Sequence, residues 1–220
     1  MTWNEYALAW AGEYGGGDPR RAPRLARGWH RAGYHAGRAL AELGVRPVTC
    51  TVVAVGLAVA VPVTAAAGPV GLVICAVLAF SSTLAGSWAR ALAVLTPPEG
   101  PGVGQTVADR LAEVAWWGGF WIAGVPGGLV IAGIGLTGLH EYAQGRARTH
   151  PRPGRAPDTV GAHPTRVWLT VTGLTLAGLA GLLGGAGRHA APGLLTVVAA
   201  AWSLAALLGL GQAAESRHRR

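Results

Sequence analysis

The chain has no lysine, two cysteines, two phenylalanines, one methionine and only ten acidic residues. Cys50 and Cys75 both lie inside apolar runs and match neither a metal-ligand nor a thiol-redox spacing, so they read as small hydrophobes. His140, His150 and His163 share no metal-ligand spacing either and read as interfacial polar groups. No apolar core begins before residue 45, which excludes the short basic start and immediate apolar run of a cleavable signal peptide. All 18 basic residues are arginine, giving a net charge of +8. Such a balance can mark nucleic-acid binding, but here the arginines sit between apolar spans, and no nucleic-acid partner is expected.

What the chain does contain is apolar residue in quantity: half of it, with a mean hydropathy of +0.37. At 220 residues this is one domain of the membrane class, and the alanine, glycine and arginine load suggests a high-GC bacterial genome. A helix needs about 20 apolar residues to cross a bilayer. Six stretches approach that: Val48 to Ala67, Val70 to Leu95, Val107 to Ala123, Val125 to His140, Val167 to Gly187, and Pro192 to Gln212. Gly68-Pro69, Pro97-Pro98 and Pro126-Gly127-Gly128 supply turns between them. Expected is an all-α polytopic bundle of about six transmembrane helices occupying 47–214. Ahead of it come a mobile cytoplasmic lead over 1–27 and a juxtamembrane amphipathic helix within 28–46; a basic tail follows over 215–220. Gly28 to Leu43, with Trp29, Tyr34 and Leu40 among Arg31, His35, Arg38 and Glu42, fits a helix lying on the membrane surface, although an ordinary exposed helix has the same pattern.

Seventeen of the 18 arginines fall on one side of this six-span alternation and only Arg188 on the other. The positive-inside rule then places both termini in the cytoplasm of a multi-pass cell-membrane protein. Two spans carry small-xxx-small spacings: Gly124, Gly127, Gly128, Gly133, Gly135 and Gly138 in one, Gly173, Ala177, Gly181 and Gly185 in the other. Such faces pack closely, either within one bundle or across a dimer.

Ionisable groups cluster from Ser82 to Glu113, where Arg90, Asp109, Arg110 and Glu113 abut long apolar runs. Charges are expensive in hydrocarbon, so such a cluster marks a candidate functional site. The segment S-S-T-L-A-G-S-W-A-R, followed by G-V-G-Q-T-V-A-D-R-L-A-E, resembles the motif of the CDP-alcohol phosphatidyltransferase family, D-x-x-D-G-x-x-A-R then G-x-x-x-D-x-x-x-D. Gly86, Ala89, Arg90 and Asp109 match. The other three aspartates fall on Ser82, Ala85 and Gln105, the second glycine falls on Pro101, and the intervening loop is about two residues longer. The resemblance extends over roughly residues 28 to 212. Val45-Arg46-Pro47-Val48-Thr49-Cys50-Thr51 is similar to the family's Pro-Asn-x-x-Thr entry, His140 to Arg148 to its E-Y-x-R-A-R-A run, and Ala162 to Val167 to its E-R-P-x-R segment.

The resemblance implies a membrane enzyme of phospholipid synthesis, commonly a homodimer. Its aspartates hold Mg²⁺ or Mn²⁺ against the pyrophosphate of a CDP-linked lipid such as CDP-diacylglycerol, and CMP leaves as a polar alcohol attacks. It assigns the base to Asp109, substrate contacts to Gly86, Ala89 and Arg90, and acceptor-phosphate recognition to Arg146, Arg148 and Arg166. Those three arginines are equally suited to setting topology and touching anionic lipid headgroups. A hydroxyl, a methyl and an amide at Ser82, Ala85 and Gln105 cannot replace three carboxylates around a hard dication. A site rebuilt from Asp109, Glu113, Gln105 and Glu99 is one alternative. A pair of interfacial carboxylates balanced by Arg90 and Arg110 is the other. Three functions stay open: a pseudoenzyme binding lipid or nucleotide or regulating a partner, an active transferase with altered metal ligation, and an unrelated membrane scaffold.

Overall fold

A computed structural model describes residues 1–14, 17–96, 103–148 and 160–218, with the side chains of 103, 147, 148, 188 and 214–218 excepted. Among these residues the structure is all-helical: α1 (Trp3–Tyr14), α2 (Arg24–Glu42), α3 (Pro47–Ala65), α4 (Gly68–Leu95), α5 (Val103–Ile122), α6 (Gly127–Arg148), α7 (His163–Leu182) and α8 (Ala186–His218). Four of them, α3, α4, α7 and the part of α8 over His189–Ala213, are long and apolar enough to cross a membrane. Helices α5 and α6 coincide with the third and fourth expected spans but fall outside that set. Three ionic residues, Asp109, Arg110 and Glu113, interrupt α5, and α6 runs two turns past His140 into polar sequence.

Helix ends follow local chemistry. Proline stands in the first turn of α3, α4 and α7, where its missing N–H costs nothing. Helix α2 stops at Gly44 (φ 71°): the Gly44 N–H donates to Ala41 O and the Val45 N–H to Leu40 O, both at 3.0 Å. Helix α5 ends the same way at Gly124 (φ 102°), with Val125 N–H donating to Phe120 O. Paired bonds of this kind satisfy the last carbonyls of a helix and need a left-handed residue, which glycine supplies without strain.

The core lies between α3, α4, α5, α7 and α8. It is built of Ala58, Val61, Cys75, Trp116, Trp117, Phe120, Leu174, Leu195 and Trp202, all essentially inaccessible. Trp117 and Trp202 lie 4.7 Å apart between ring centroids. The small residues of α7 serve packing within the bundle. A methyl group on Gly178 would come 2.7 Å from Val73 of α4, one on Gly181 2.7 Å from Pro69, and one on Gly173 2.8 Å from Val198 of α8. In α6 only Gly133 is so confined, against the Trp117 ring, while Gly128, Gly135 and Gly138 face open space.

The N-terminal residues depart from the expected mobile lead. Trp3, Tyr6, Ala7, Trp10 and Tyr14 recur every three or four positions and form one helical face, and Tyr6 and Ala7 are buried. This face packs against Tyr34 of α2 and Ala91, Val94 and Leu95 at the end of α4. Low mean hydropathy hid the stripe, because its tyrosines and tryptophans alternate with Asn, Glu and Gly. Residues 24–42, close to the expected 28–43, form α2, which buries Gly33, Tyr34 and Gly37. Residues 215–218 of the expected tail continue α8.

Candidate functional site

Helix α4 delivers Ser82, Gly86 and Arg90 at four-residue intervals, hence along one face. Helix α5 delivers Gln105 and Asp109 by the same spacing. These five residues, with Ala54, Thr83, Ala108, Ala112, Trp116 and His163, line a cleft of about 290 Å³, part of it open to solvent. An Arg90 guanidinium N–H donates to Asp109 Oδ2 at 2.7 Å, and Gln105 Nε2 donates to Asp109 Oδ1 at 3.1 Å. Thr51 Oγ1 of α3 donates to Gln105 Oε1 at 2.7 Å, and Ser82 Oγ donates to the Ala54 carbonyl at 2.8 Å. Three helices are thereby tied at one point. The Arg90 and Asp109 side chains keep 16% and 23% of their surface exposed. Gly86 leaves the space between them clear, since a methyl group there would stand 3.8 Å from both Asp109 and Gln105.

One turn along α5 the surroundings change. Glu113 is buried and receives Arg110, His163 Nδ1 (3.0 Å) and Arg166 (3.4 Å). Arg166, wholly inaccessible, also bonds Glu141. The His163 ring lies over Trp116, with centroids 6.2 Å apart, and borders both this network and the cleft. His140, expected at an interface, is buried beside Gln144, with 3.4 Å between Nε2 of each.

The sequence-derived candidates thus separate. Ser82, Gly86, Arg90, Gln105 and Asp109 meet in the cleft. Ala85 and Ala89 are buried, and Ala89 packs with Cys50 and Leu92 instead of facing it. Arg146 is exposed on α6, whereas Arg166 is sealed among carboxylates, so these two do not form one phosphate clamp. The Arg148 side chain, Glu99 and His150 lie outside the described residues. Glu141 and the α1 tyrosines are the participants that spacing did not single out.

The residues present do not fit the divalent cation that the resemblance implies. Among the described residues no three His, Cys, Asp or Glu side chains converge. Both Asp109 oxygens already accept hydrogen bonds, one from a cation, and the Gln105 oxygen accepts from Thr51. Glu113 turns toward Arg110, Arg166 and His163 and away from Asp109 and Gln105, with which it was expected to rebuild a site; Glu99, the fourth member of that set, lies outside the described residues. What the cleft offers is hydrogen bonding and a guanidinium paired with Asp109, for which a phosphate would compete with that carboxylate through charge-assisted bonds. Comparison with family models, curated proteins and solved structures finds no match to this chain.

Proposed function

We propose that the chain is a six-span bacterial cell-membrane protein with both termini cytoplasmic. In this reading its α4–α5 cleft is a phosphatidyltransferase-like site that binds a CDP-linked lipid, or its nucleotide headgroup, without turning it over. The observation that carries the proposal is the convergence of Ser82, Gly86, Arg90, Gln105 and Asp109, five of the positions aligned by the motif, on one cleft. At 1.5 Å per residue α5 and α6 are each about 30 Å from end to end, which matches the hydrocarbon thickness in length but not in apolar content. A pair of crossings returns the chain to the side it left, so the arginine asymmetry holds whether or not both cross. Helix α2, with Arg24, Arg31 and Arg38 exposed and Trp29 against Phe80 of α4, then lies at the headgroup level.

The resemblance requires carboxylates on facing helices to hold metal at the leaving group, and three of four are replaced. That loss argues for binding without catalysis. The test is CMP release from CDP-diacylglycerol by the purified protein with Mg²⁺ or Mn²⁺ and a mixture of polar alcohols. No release from folded protein is expected. Metal-dependent release that disappears in Asp109→Asn would make the chain an active transferase. A second reading, an unrelated membrane scaffold, is favoured by the self-neutralised network of Glu113 and Glu141 with Arg110 and Arg166, which leaves no spare charge for a substrate at Arg166; absence of any CDP-diacylglycerol binding would support it.

A further inference from the structure

Arg90 belongs to two assemblies at once. Its guanidinium bonds Asp109 in the cleft, while its backbone carbonyl accepts a hydrogen bond from the Tyr14 hydroxyl of α1 at 3.4 Å. The residues after it, Ala91, Val94 and Leu95, form the seat on which Tyr6 is buried. Tyr34 bridges α1 and α2: its ring lies 5.2 Å from Tyr6 and 5.8 Å from Trp3, and its hydroxyl donates to the Met1 carbonyl at 2.9 Å. Trp10 packs edge-on against His30 of α2, and the Arg31 guanidinium covers Trp3 at 5.5 Å. Helix α2 in turn presses Gly37 onto Ala91 and Leu95, where a methyl group would come 3.0 Å from Ala91 Cβ. The exposed residues of α1 include Asn4, Glu5, Leu8, Gly12 and Glu13. The helix is held chiefly through its aromatic stripe.

We propose that α1 is a strap whose docking on the end of α4 holds Arg90 against Asp109 and keeps the cleft narrow, and whose release widens it. The contacts make this a local transition. An isolated helix of 12 residues is marginal in water, so α1 is ordered by its seat and loses structure when it leaves. Undocking removes the Tyr6 packing and the Tyr14 bond from the turn bearing Arg90, freeing that turn to draw away from α5. The coupling is reciprocal, because anything that parts Arg90 from Asp109 loosens the seat of α1. The device stands on these contacts alone and holds whatever the cleft binds.

The test uses the full chain in lipid nanodiscs with Cys50 and Cys75 replaced by alanine and Gly86→Cys as a reporter in the cleft. Tyr6→Ala with Trp10→Ala should raise the rate at which a water-soluble maleimide labels the introduced thiol by about tenfold, within the usual range of allosteric couplings. Tryptic cleavage at Arg20, Arg21 and Arg24 should rise with it. Faster cleavage with unchanged labelling would overturn the proposal, because α1 would then leave without widening the cleft. A second arm guards against general unfolding: with α1 intact, Asp109→Asn alone should accelerate the same tryptic cleavage. Cleavage at the wild-type rate in that variant would equally overturn it.

Discussion

Asp109 and Glu113 stand four residues apart on one helix, yet they occupy opposite kinds of site. Asp109 meets one arginine across a partly open cleft and keeps 23% of its side chain exposed. Glu113 keeps 3% and is enclosed by Arg110, Arg166 and His163, with Glu141 balancing the second positive charge. Four residues advance a helix by one turn, about 5.4 Å along its axis, and that is enough to move from the cleft to the packed junction with α6 and α7. The two carboxylates teach that charge in this bundle has separate uses: the closed network locks helices together, and the open pair leaves hydrogen-bonding capacity within reach of a ligand.

The sharpest break of this comparison is Arg166→Ala. It removes the buried guanidinium shared by Glu113 and Glu141 and leaves Arg110 as their common arginine partner; breaking a buried pair costs about 3–5 kcal/mol. A large fall in the thermal midpoint in detergent is expected; a fall no greater than that of an exposed-site variant would show that the network is solvated. Asp109→Asn should cost only about 1 kcal/mol, because partly exposed pairs contribute little. If its midpoint falls as far as that of Arg166→Ala, the distinction between the two sites fails.

The contrast explains what the sequence could and could not disclose. Ser82, Gly86, Arg90, Gln105 and Asp109 were legible through the motif they align with, and their four-residue spacing within α4 and α5 puts them on shared faces. Arg166 looked like a phosphate ligand because its partners, Glu113 and Glu141, lie 53 and 25 residues away, and no local spacing reports that convergence. Helix boundaries were legible where proline and glycine mark them, as at Gly68-Pro69 and Pro126-Gly127. Helix α1 escaped notice because span-finding weighs mean hydropathy, whereas its signal is the 3-6-10-14 spacing of aromatic residues. The α7 glycines showed a packing face, but that Gly178 and Gly181 meet Pro69 and Val73 depends on the fold.

Two smaller effects sharpen the comparison further. Gly86→Ala adds a methyl group at ordinary contact distance and removes a helix glycine, so stability should rise by about 0.5–1 kcal/mol while the cleft loses space. A raised thermal midpoint with weakened ligand binding is the expected pair of readings; a lowered midpoint would place Gly86 in a tighter setting. Finally, burial pushes the Tyr6 and Tyr14 phenols above their ordinary value of 10. The docked state binds these protons more tightly than the released one, so the contribution of α1 docking is full below pH 10 and declines as pH rises beyond it. Near-ultraviolet circular dichroism of the Trp3, Tyr6 and Trp10 stack should stay constant up to that value; a loss centred on pH 10 itself, where exposed phenols ionise, would show that the phenols are not buried.

The most direct measurement is equilibrium binding of CDP-diacylglycerol to the protein in nanodiscs, made once in chelator and once with Mg²⁺, for the wild type and for Arg90→Gln. The expected result is saturable binding that is equal in chelator and in Mg²⁺ and about tenfold weaker in Arg90→Gln, the loss of roughly 1.4 kcal/mol expected when a charge-assisted bond to phosphate is removed. Binding that appears only with Mg²⁺ and proceeds to CMP release would contradict it and return metal catalysis to the cleft.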